Sequence, residues 1–187
     1  CVLIRAARQT CWGGWDLAAE AEALEGSADF PCGPGFLHPG PAIAFGMDRA
    51  RFSALAHSSH SYCNPISAPA IEHALDLIAS SHALPGAAPL ASALDIGCGK
   101  AELLLRLCER FPAPFRALGI ENSPLMLDQG QKRAATRNVS DRVLLRLSDA
   151  EHVVPLLPGS SFDLVSCIGS SHALHDVLRT LEHMARV

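Results

Sequence analysis

A short run in the second half of the chain, Asp95-Ile96-Gly97-Cys98-Gly99, combines an acid with two closely spaced glycines. Because glycine has no Cβ, the run allows a tight turn in which a ligand approaches the backbone closely, and the helix that follows offers unpaired N–H groups. These features are typical of a nucleotide-type pocket. The carboxylate of Asp95 suits a ligand that carries an ammonium group better than one that carries two phosphates.

The position that would decide for a dinucleotide is occupied by an acid. A dinucleotide-binding turn has a third glycine three positions after Gly99, and the residue there is Glu102. Its charge would face a pyrophosphate at a helix N-terminus unfavourably. An NAD-binding oxidoreductase is therefore one interpretation of this turn, and the sequence disfavours it. A non-catalytic Rossmann-like binding module is another interpretation.

Apolar runs and helical segments alternate from residue 67 onwards, and they must position this turn. Strands are predicted at residues 90–96, 115–120, 142–147 and 162–168, and helices at residues 67–83, 102–111, 123–137 and 171–187. Strands that alternate with helices need crossover connections, so the predicted fold class is α/β, a parallel sheet with helices on both faces. Ligands of such sheets bind at the carboxyl ends of the strands, where the glycine turn falls.

The glycine turn, the acids Glu121 and Asp149 after the second and third strands, and the strand Phe162-Asp163-Leu164-Val165 together resemble the class I S-adenosylmethionine-dependent methyltransferases. The resemblance covers about residues 67–187. It implies a three-layer Rossmann-like fold, methyl transfer, and S-adenosylmethionine as the cofactor. The cofactor-binding residues that it implies are Asp95, Gly97, Cys98, Gly99, Glu121, Asn122, Met126, Asp149, Ala150 and Ile168.

The resemblance implies that the end of each strand contacts a different part of the cofactor. Asp95 and the glycine turn hold the methionine part, Glu121 accepts the ribose hydroxyls, and Asp149 meets the adenine amino group. Ile168 ends the fourth strand beside the transferred methyl. Met126, or its neighbour Leu125, is the candidate to pack on adenine. Ala101 stands where the family often has a further glycine, a change that we expect to be mild.

Two polar segments are candidates for contacting the acceptor or for covering the cofactor. His172 follows the fourth strand, where an acceptor would lie, and is the candidate for substrate contact or general base. Residues 52–64 either fold over the cofactor as a lid or simply pack as an N-terminal helix. Two His-x-x-His pairs, His57/His60 and His172/His175, lack a third ligand, so we predict no metal site.

The amino-acid composition argues against some classes of binding partner. The 187 residues carry a net charge of −4 with scattered basic residues, which argues against nucleic acid. No apolar run reaches the roughly 18 residues that span a bilayer. The seven cysteines form no CxxC pair. We therefore predict a cytoplasmic protein with a small-molecule acceptor.

The ends of the chain differ from its middle. Residues 1–46 are rich in Gly, Pro and Ala and are predicted to be a poorly structured arm, with Met47 as the hypothetical native start. Residues 47–89 are predicted to form a helical or lid segment, and residues 90–187 a partial cofactor-binding core. The resemblance implies seven strands in the order 3-2-1-4-5-7-6, of which we find four. The fourth strand would then expose an apolar edge that allows self-association. We expect weak cofactor binding and no activity unless a second chain covers this edge.

Overall fold

The structure, a computed structural model, describes residues 2–6, 56–57, 59–64, 66–171 and 173–187. Its elements in chain order are β1 (Val2–Ala6), α1 (Ala68–His82), β2 (Ser92–Ile96), α2 (Glu102–Arg110), β3 (Arg116–Glu121), α3 (Pro124–Thr136), β4 (Val143–Leu147), α4 (Ala150–Val153), a 3₁₀ turn (Val154–Leu156), β5 (Leu164–Ile168) and α5 (Val177–Arg186). None of the helices in these ranges is long and apolar enough to cross a membrane.

The five strands form one sheet in the order β1-β5-β2-β3-β4. The pairs β5-β2, β2-β3 and β3-β4 are parallel, which confirms the predicted fold class and the order of the four predicted strands. Alternate residues of β2, β3 and β5 enter separate apolar cores, as a pleated strand requires. Ala93 and Ala117 pack with α1, α2 and α3, whereas Leu94 and Leu118 pack with α4 and α5.

Two predicted elements begin later than expected, and a side chain accepts backbone N–H groups near the start of each. The fourth predicted strand pairs only from Leu164, and the carboxylate of Asp163 accepts the backbone N–H groups of Ala91 and Ser92 at 2.9 and 3.0 Å. The last helix begins at Val177 rather than at residue 171. Asp176 caps it, accepting the N–H of Arg179 at 2.9 Å.

The prediction that the fourth predicted strand has an unpaired edge is wrong in this structure. That strand is β5, and β1 pairs with it antiparallel, from Val2 opposite Ile168 to Ala6 opposite Leu164. An antiparallel partner fills the same row of backbone hydrogen bonds that a further parallel strand would use. The predicted self-association through this edge, and the weak binding that we derived from it, therefore lose their physical basis. The strand also falls inside the segment predicted to be a poorly structured arm; residues 7–46 lie outside the described residues.

Candidate functional site

The glycine turn is fixed to the neighbouring strand at the carboxyl edge of the sheet. The N–H groups of Gly97 and Cys98 both donate to the carbonyl oxygen of Ile120, at 2.9 and 3.0 Å. Gly97 and Gly99 have φ values of +73° and +56°, a region that favours glycine. The turn therefore follows β2 with little freedom and presents its backbone beside the end of β3.

A second loop closes on this turn from the end of β5. A Cβ on Gly97 would lie 2.5 Å from the Cβ of Ser170, so the close approach of these two backbones depends on the missing side chain. Ser170 in turn donates its hydroxyl to the Gly97 carbonyl at 3.5 Å. The loops that follow β2 and β5 are thus joined at the carboxyl edge of the sheet.

Replacing Gly97 with alanine should therefore lower stability and cofactor affinity together. The left-handed backbone alone costs an L-residue about 1–2 kcal/mol, and Ser170 must also move. We expect urea denaturation to give a loss of at least about 1 kcal/mol. The control is Gly159→Ala, where the nearest atom to a new Cβ is the Arg186 carbonyl oxygen at 3.6 Å. Equal stability of the two variants would contradict this account.

Glu121 lies at the end of β3 and joins the glycine turn to α3. One oxygen of its carboxylate accepts the N–H of Gly99 at 2.8 Å, and the other accepts the N–H of Ser123, also at 2.8 Å. Ser123 is the N-cap of α3, as the sequence predicts, and its hydroxyl accepts the N–H of Met126. A carboxylate has about four lone-pair sites, so each oxygen of this half-buried group can accept one more donor.

Asp95 lies beneath the turn and is only 4% exposed. Burial raises the pKa of its carboxyl to about 7, against a hydrogen bond from Ser166, and the nearby charge of Glu121 raises it further. The Ser166 hydroxyl donates to Asp95 at 2.7 Å across the β2-β5 pair. The site therefore places two acids beside one glycine turn, and a cation bound there would relieve their mutual repulsion.

A strap formed by residues 59–64 crosses this edge of the sheet. The Sγ atom of Cys63 lies 3.7 Å from the Sδ atom of Met126 and 3.5 Å from where a Cβ on Gly99 would be. The side-chain amide of Asn64 donates to the carbonyl oxygen of Ile168 at 3.0 Å. Residues 59–64 form no helix in this structure, and the interpretation of residues 52–64 as a lid over the cofactor stays a prediction.

The remaining predicted residues fall on the same edge with different exposure. Cys98, Met126, Ala150 and Ile168 are buried, whereas Asn122 is exposed. Asp149 is exposed too and caps α4, accepting the N–H of Glu151 at 3.3 Å. Contact of these residues with a cofactor stays a prediction.

The predicted catalytic residue is His172. His172 lies outside the described residues. Its pair partner His175 is exposed and has φ of +77°, and its Nε2 atom lies 2.9 Å from an oxygen of Glu151. His175 lies between β5 and α5.

Two interpretations made from the sequence need correction. Glu102 does not face the ligand side as an unpaired charge. Its side chain is 2% exposed, and its carboxylate lies among the guanidinium groups of Arg106, Arg133 and Arg137. Its charge is therefore neutralised locally and gives no argument against a pyrophosphate. Ala101 has φ of +60°, so the absence of glycine there costs backbone strain in addition to any change in packing.

Three contributors to the site escaped the sequence reasoning. Ser166 hydrogen-bonds Asp95, Asn64 reaches Ile168, and Lys100 donates to the strap. Ser166 could have been found, because the parallel register of the predicted strands sets it opposite Asp95. The contacts of Asn64 and Lys100 depend on the path of an irregular segment, for which the sequence has no periodic signal.

The sequence is similar to those of known methyltransferases. Residues 93–187, just over half of the chain, match a family model described as a methyltransferase domain. The demethylmenaquinone methyltransferase of Lactiplantibacillus plantarum is 31% identical over 97 residues, which cover 52% of this chain and 40% of that protein. The 27-O-demethylrifamycin SV methyltransferase of Amycolatopsis mediterranei is 32% identical over 94 residues, covering 50% of this chain and 33% of that protein. The chain thus spans less than half the length of these curated relatives.

Solved structures share the fold. A methyltransferase from Geobacter sulfurreducens, in complex with S-adenosyl-L-homocysteine, is 24% identical with a TM-score of 0.57, covering 73% of this chain and 50% of that one. One from Thiobacillus denitrificans, with the same ligand, is 23% identical with a TM-score of 0.59, covering 75% and 52%. On the family match and the architecture that it shares with them, the chain belongs to the S-adenosylmethionine-dependent methyltransferases of Rossmann-like fold.

Proposed function

We propose that this chain binds S-adenosylmethionine at the carboxyl edge of its sheet and transfers the methyl group to a small-molecule acceptor. The observation that carries the proposal is the carboxylate of Glu121, which accepts the Gly99 N–H at 2.8 Å and has lone pairs left for two further donors. A ribose offers two such donors on adjacent carbons.

The charge of the site supports this cofactor over a dinucleotide. Asp95 and Glu121 both lie beside the glycine turn, and the second raises the pKa of the first. A pyrophosphate placed there would add like charge, whereas an ammonium or sulfonium group would reduce the repulsion.

The chain's own part in the reaction is to position the partners and exclude water. S-adenosylmethionine, when bound, supplies a methyl group on a sulfonium for in-line displacement. The glycine turn and Glu121 fix one side of the site, and the strap and the loop after β5 border it. Removal of a proton from the acceptor would fall to a residue of that loop, for which His172 stays our candidate.

The class of acceptor is inferred from relatives and from charge. The two curated relatives are named for demethylmenaquinone and for 27-O-demethylrifamycin SV, both small molecules. The net charge of −4 supports the same class over nucleic acid. The acceptor atom follows from neither argument and needs a screen of hydroxyl, amine and carbon acceptors with labelled cofactor.

Calorimetric titration of the full chain with S-adenosylmethionine, S-adenosylhomocysteine and NADH tests the proposal. We expect both adenosyl ligands to bind at least tenfold more tightly than NADH, because only they avoid placing phosphates beside Asp95 and Glu121. Tighter binding of NADH would support an oxidoreductase instead. Binding of none of the three would favour a non-catalytic module, and either result would overturn the proposal.

A further inference from the structure

The strap is attached to the glycine turn through one buried lysine. Lys100 directly follows Gly99, and its side chain is among the largest fully buried ones, at 1% exposure. Its ammonium group donates to the carbonyl oxygens of His57 at 2.5 Å and of His60 at 2.8 Å. Burying an ammonium is costly unless its donors are satisfied, and here backbone carbonyls at and just before the strap satisfy two of them.

The backbone of Lys100 is itself held firmly. A Cβ on Gly130 of α3 would lie 3.3 Å from the carbonyl carbon and oxygen of Lys100, so helix and turn are in close contact. The next residue, Ala101, accepts the first hydrogen bond of α2, from Leu105 at 2.9 Å. The ammonium therefore reaches the strap from a rigid base, and the position of the strap follows the position of the turn.

Other contacts direct the strap onto the ligand side of the turn. Cys63 contacts Met126 and approaches Gly99, and Asn64 bonds Ile168. The Tyr62 ring packs under the guanidinium of Arg106, with 6.0 Å from its centroid to Cζ. The strap thus touches three of the positions expected to contact the cofactor, and Lys100 ties it there.

We propose that Lys100 is a positioning residue that holds residues 59–64 over the glycine turn as a wall of the cofactor site. The inference rests on the proposed function, since it concerns the same site. A lysine that only packs against the strap would affect the position of the strap alone. A positioning residue must also affect the affinity for the cofactor, because the strap that it holds forms part of the cofactor site.

The test compares Lys100→Met with the wild type and with Lys132→Met, which removes an exposed lysine of α3. Two readouts are used: the dissociation constant for S-adenosylhomocysteine, and alkylation of Cys63 by iodoacetamide, followed by peptide mass spectrometry. Cys98, Cys108 and Cys167 are buried, and they report any general loosening of the core.

In Lys100→Met we expect the dissociation constant to rise at least tenfold and Cys63 to react several-fold faster, with the buried cysteines unchanged. S-adenosylhomocysteine should protect Cys63 in the wild type and in Lys132→Met, but not in Lys100→Met. Lys100→Arg, which keeps the charge and the donors, should recover part of the affinity.

Faster alkylation of Cys63 with unchanged affinity would show that the strap is only packing and would overturn the inference. Unchanged values in both readouts would overturn it too. If Lys100→Met does not fold, Asn64→Leu decides by the same two measurements, because it removes the bond between the strap and Ile168. Absence of binding in the wild type would instead refute the proposed function, while the alkylation rates of ligand-free protein would still report the attachment of the strap.

Discussion

Replacing Glu121 with alanine is expected to lower the affinity for S-adenosylhomocysteine by about 100-fold. Each hydrogen bond to a charged group contributes about 1.5 kcal/mol or more, and a ribose would make two of them with this carboxylate. Two such bonds correspond to about 3 kcal/mol, or two factors of ten in the dissociation constant. Calorimetric titration at constant pH measures the loss directly.

Glu121 also accepts the N–H groups of Gly99 and Ser123, so its removal could disturb the glycine turn as well as remove a contact with the ligand. Two further variants separate these effects. Glu121→Gln keeps one acceptor oxygen and should lose about tenfold, between the wild type and alanine. Asp128→Ala removes an exposed acid of α3 and should leave affinity unchanged. An alanine variant that melts earlier but binds normally would show that Glu121 only supports the backbone.

The largest loss of stability is expected for Glu102→Gln. The carboxylate of Glu102 lies 2.8 Å from Arg106, 3.0 Å from Arg133 and 2.8 Å from Arg137. The first bond lies within α2, and the other two join α2 to the C-terminal end of α3. Removing one member of a fully buried charge network costs about 3–5 kcal/mol. The three arginine side chains here keep 25–29% of their surface exposed, so water compensates part of their charge and the loss should lie at the lower end of that range. Urea denaturation at pH 7 should therefore show a loss of about 3 kcal/mol.

The matched control is Glu72→Gln. Glu72 also pairs with Arg106, but from the surface, where its side chain is 45% exposed. Exposed ion pairs contribute about 1 kcal/mol or less, so this variant should stay close to the wild type. Similar losses in the two variants would mean that burial of Glu102 adds nothing.

The dependence of the Glu102 effect on pH has a definite sign. Burial alone would raise the pKa of Glu102, but hydrogen bonds and charge from Arg137 and Arg106 outweigh it and hold the pKa below its usual value. A depressed pKa in the folded state adds stability above the unfolded pKa of about 4.3, and this stability is lost as pH falls through the folded value. The difference between the wild type and Glu102→Gln should stay constant from pH 7 to about pH 5 and shrink below that.

The sequence predicted the parallel sheet because its signals are local and periodic. The run that ends at Gly97 and the N-cap Ser123 fix where β2 ends and where α3 begins, whatever surrounds them. Asp95 and Glu121 belong to β2 and to the end of β3, so the same local signals also predict where these two acids lie along the chain.

What the sequence did not predict depends on partners far along the chain. Glu102 was assigned to the ligand side because the chain places it at a helix start; nothing local indicates that Arg133 and Arg137, a helix away, take its charge. Lys100 and Asn64 likewise have roles set by the path of the strap. Such contacts are determined by tertiary packing, so neither propensity nor periodicity reports them.

The pairing of β1 with β5 bears on how the chain folds. Its two strands come from opposite ends of the chain, whereas β2, β3 and β4 follow one another with a single helix between neighbours. Closing so long a loop costs more chain entropy than any other pairing in the sheet. The four parallel strands should therefore assemble first and β1 last, which leaves the apolar β5 without its neighbour for part of the folding time. During that interval the protein is most exposed to aggregation, so dilute conditions should favour its recovery after denaturation.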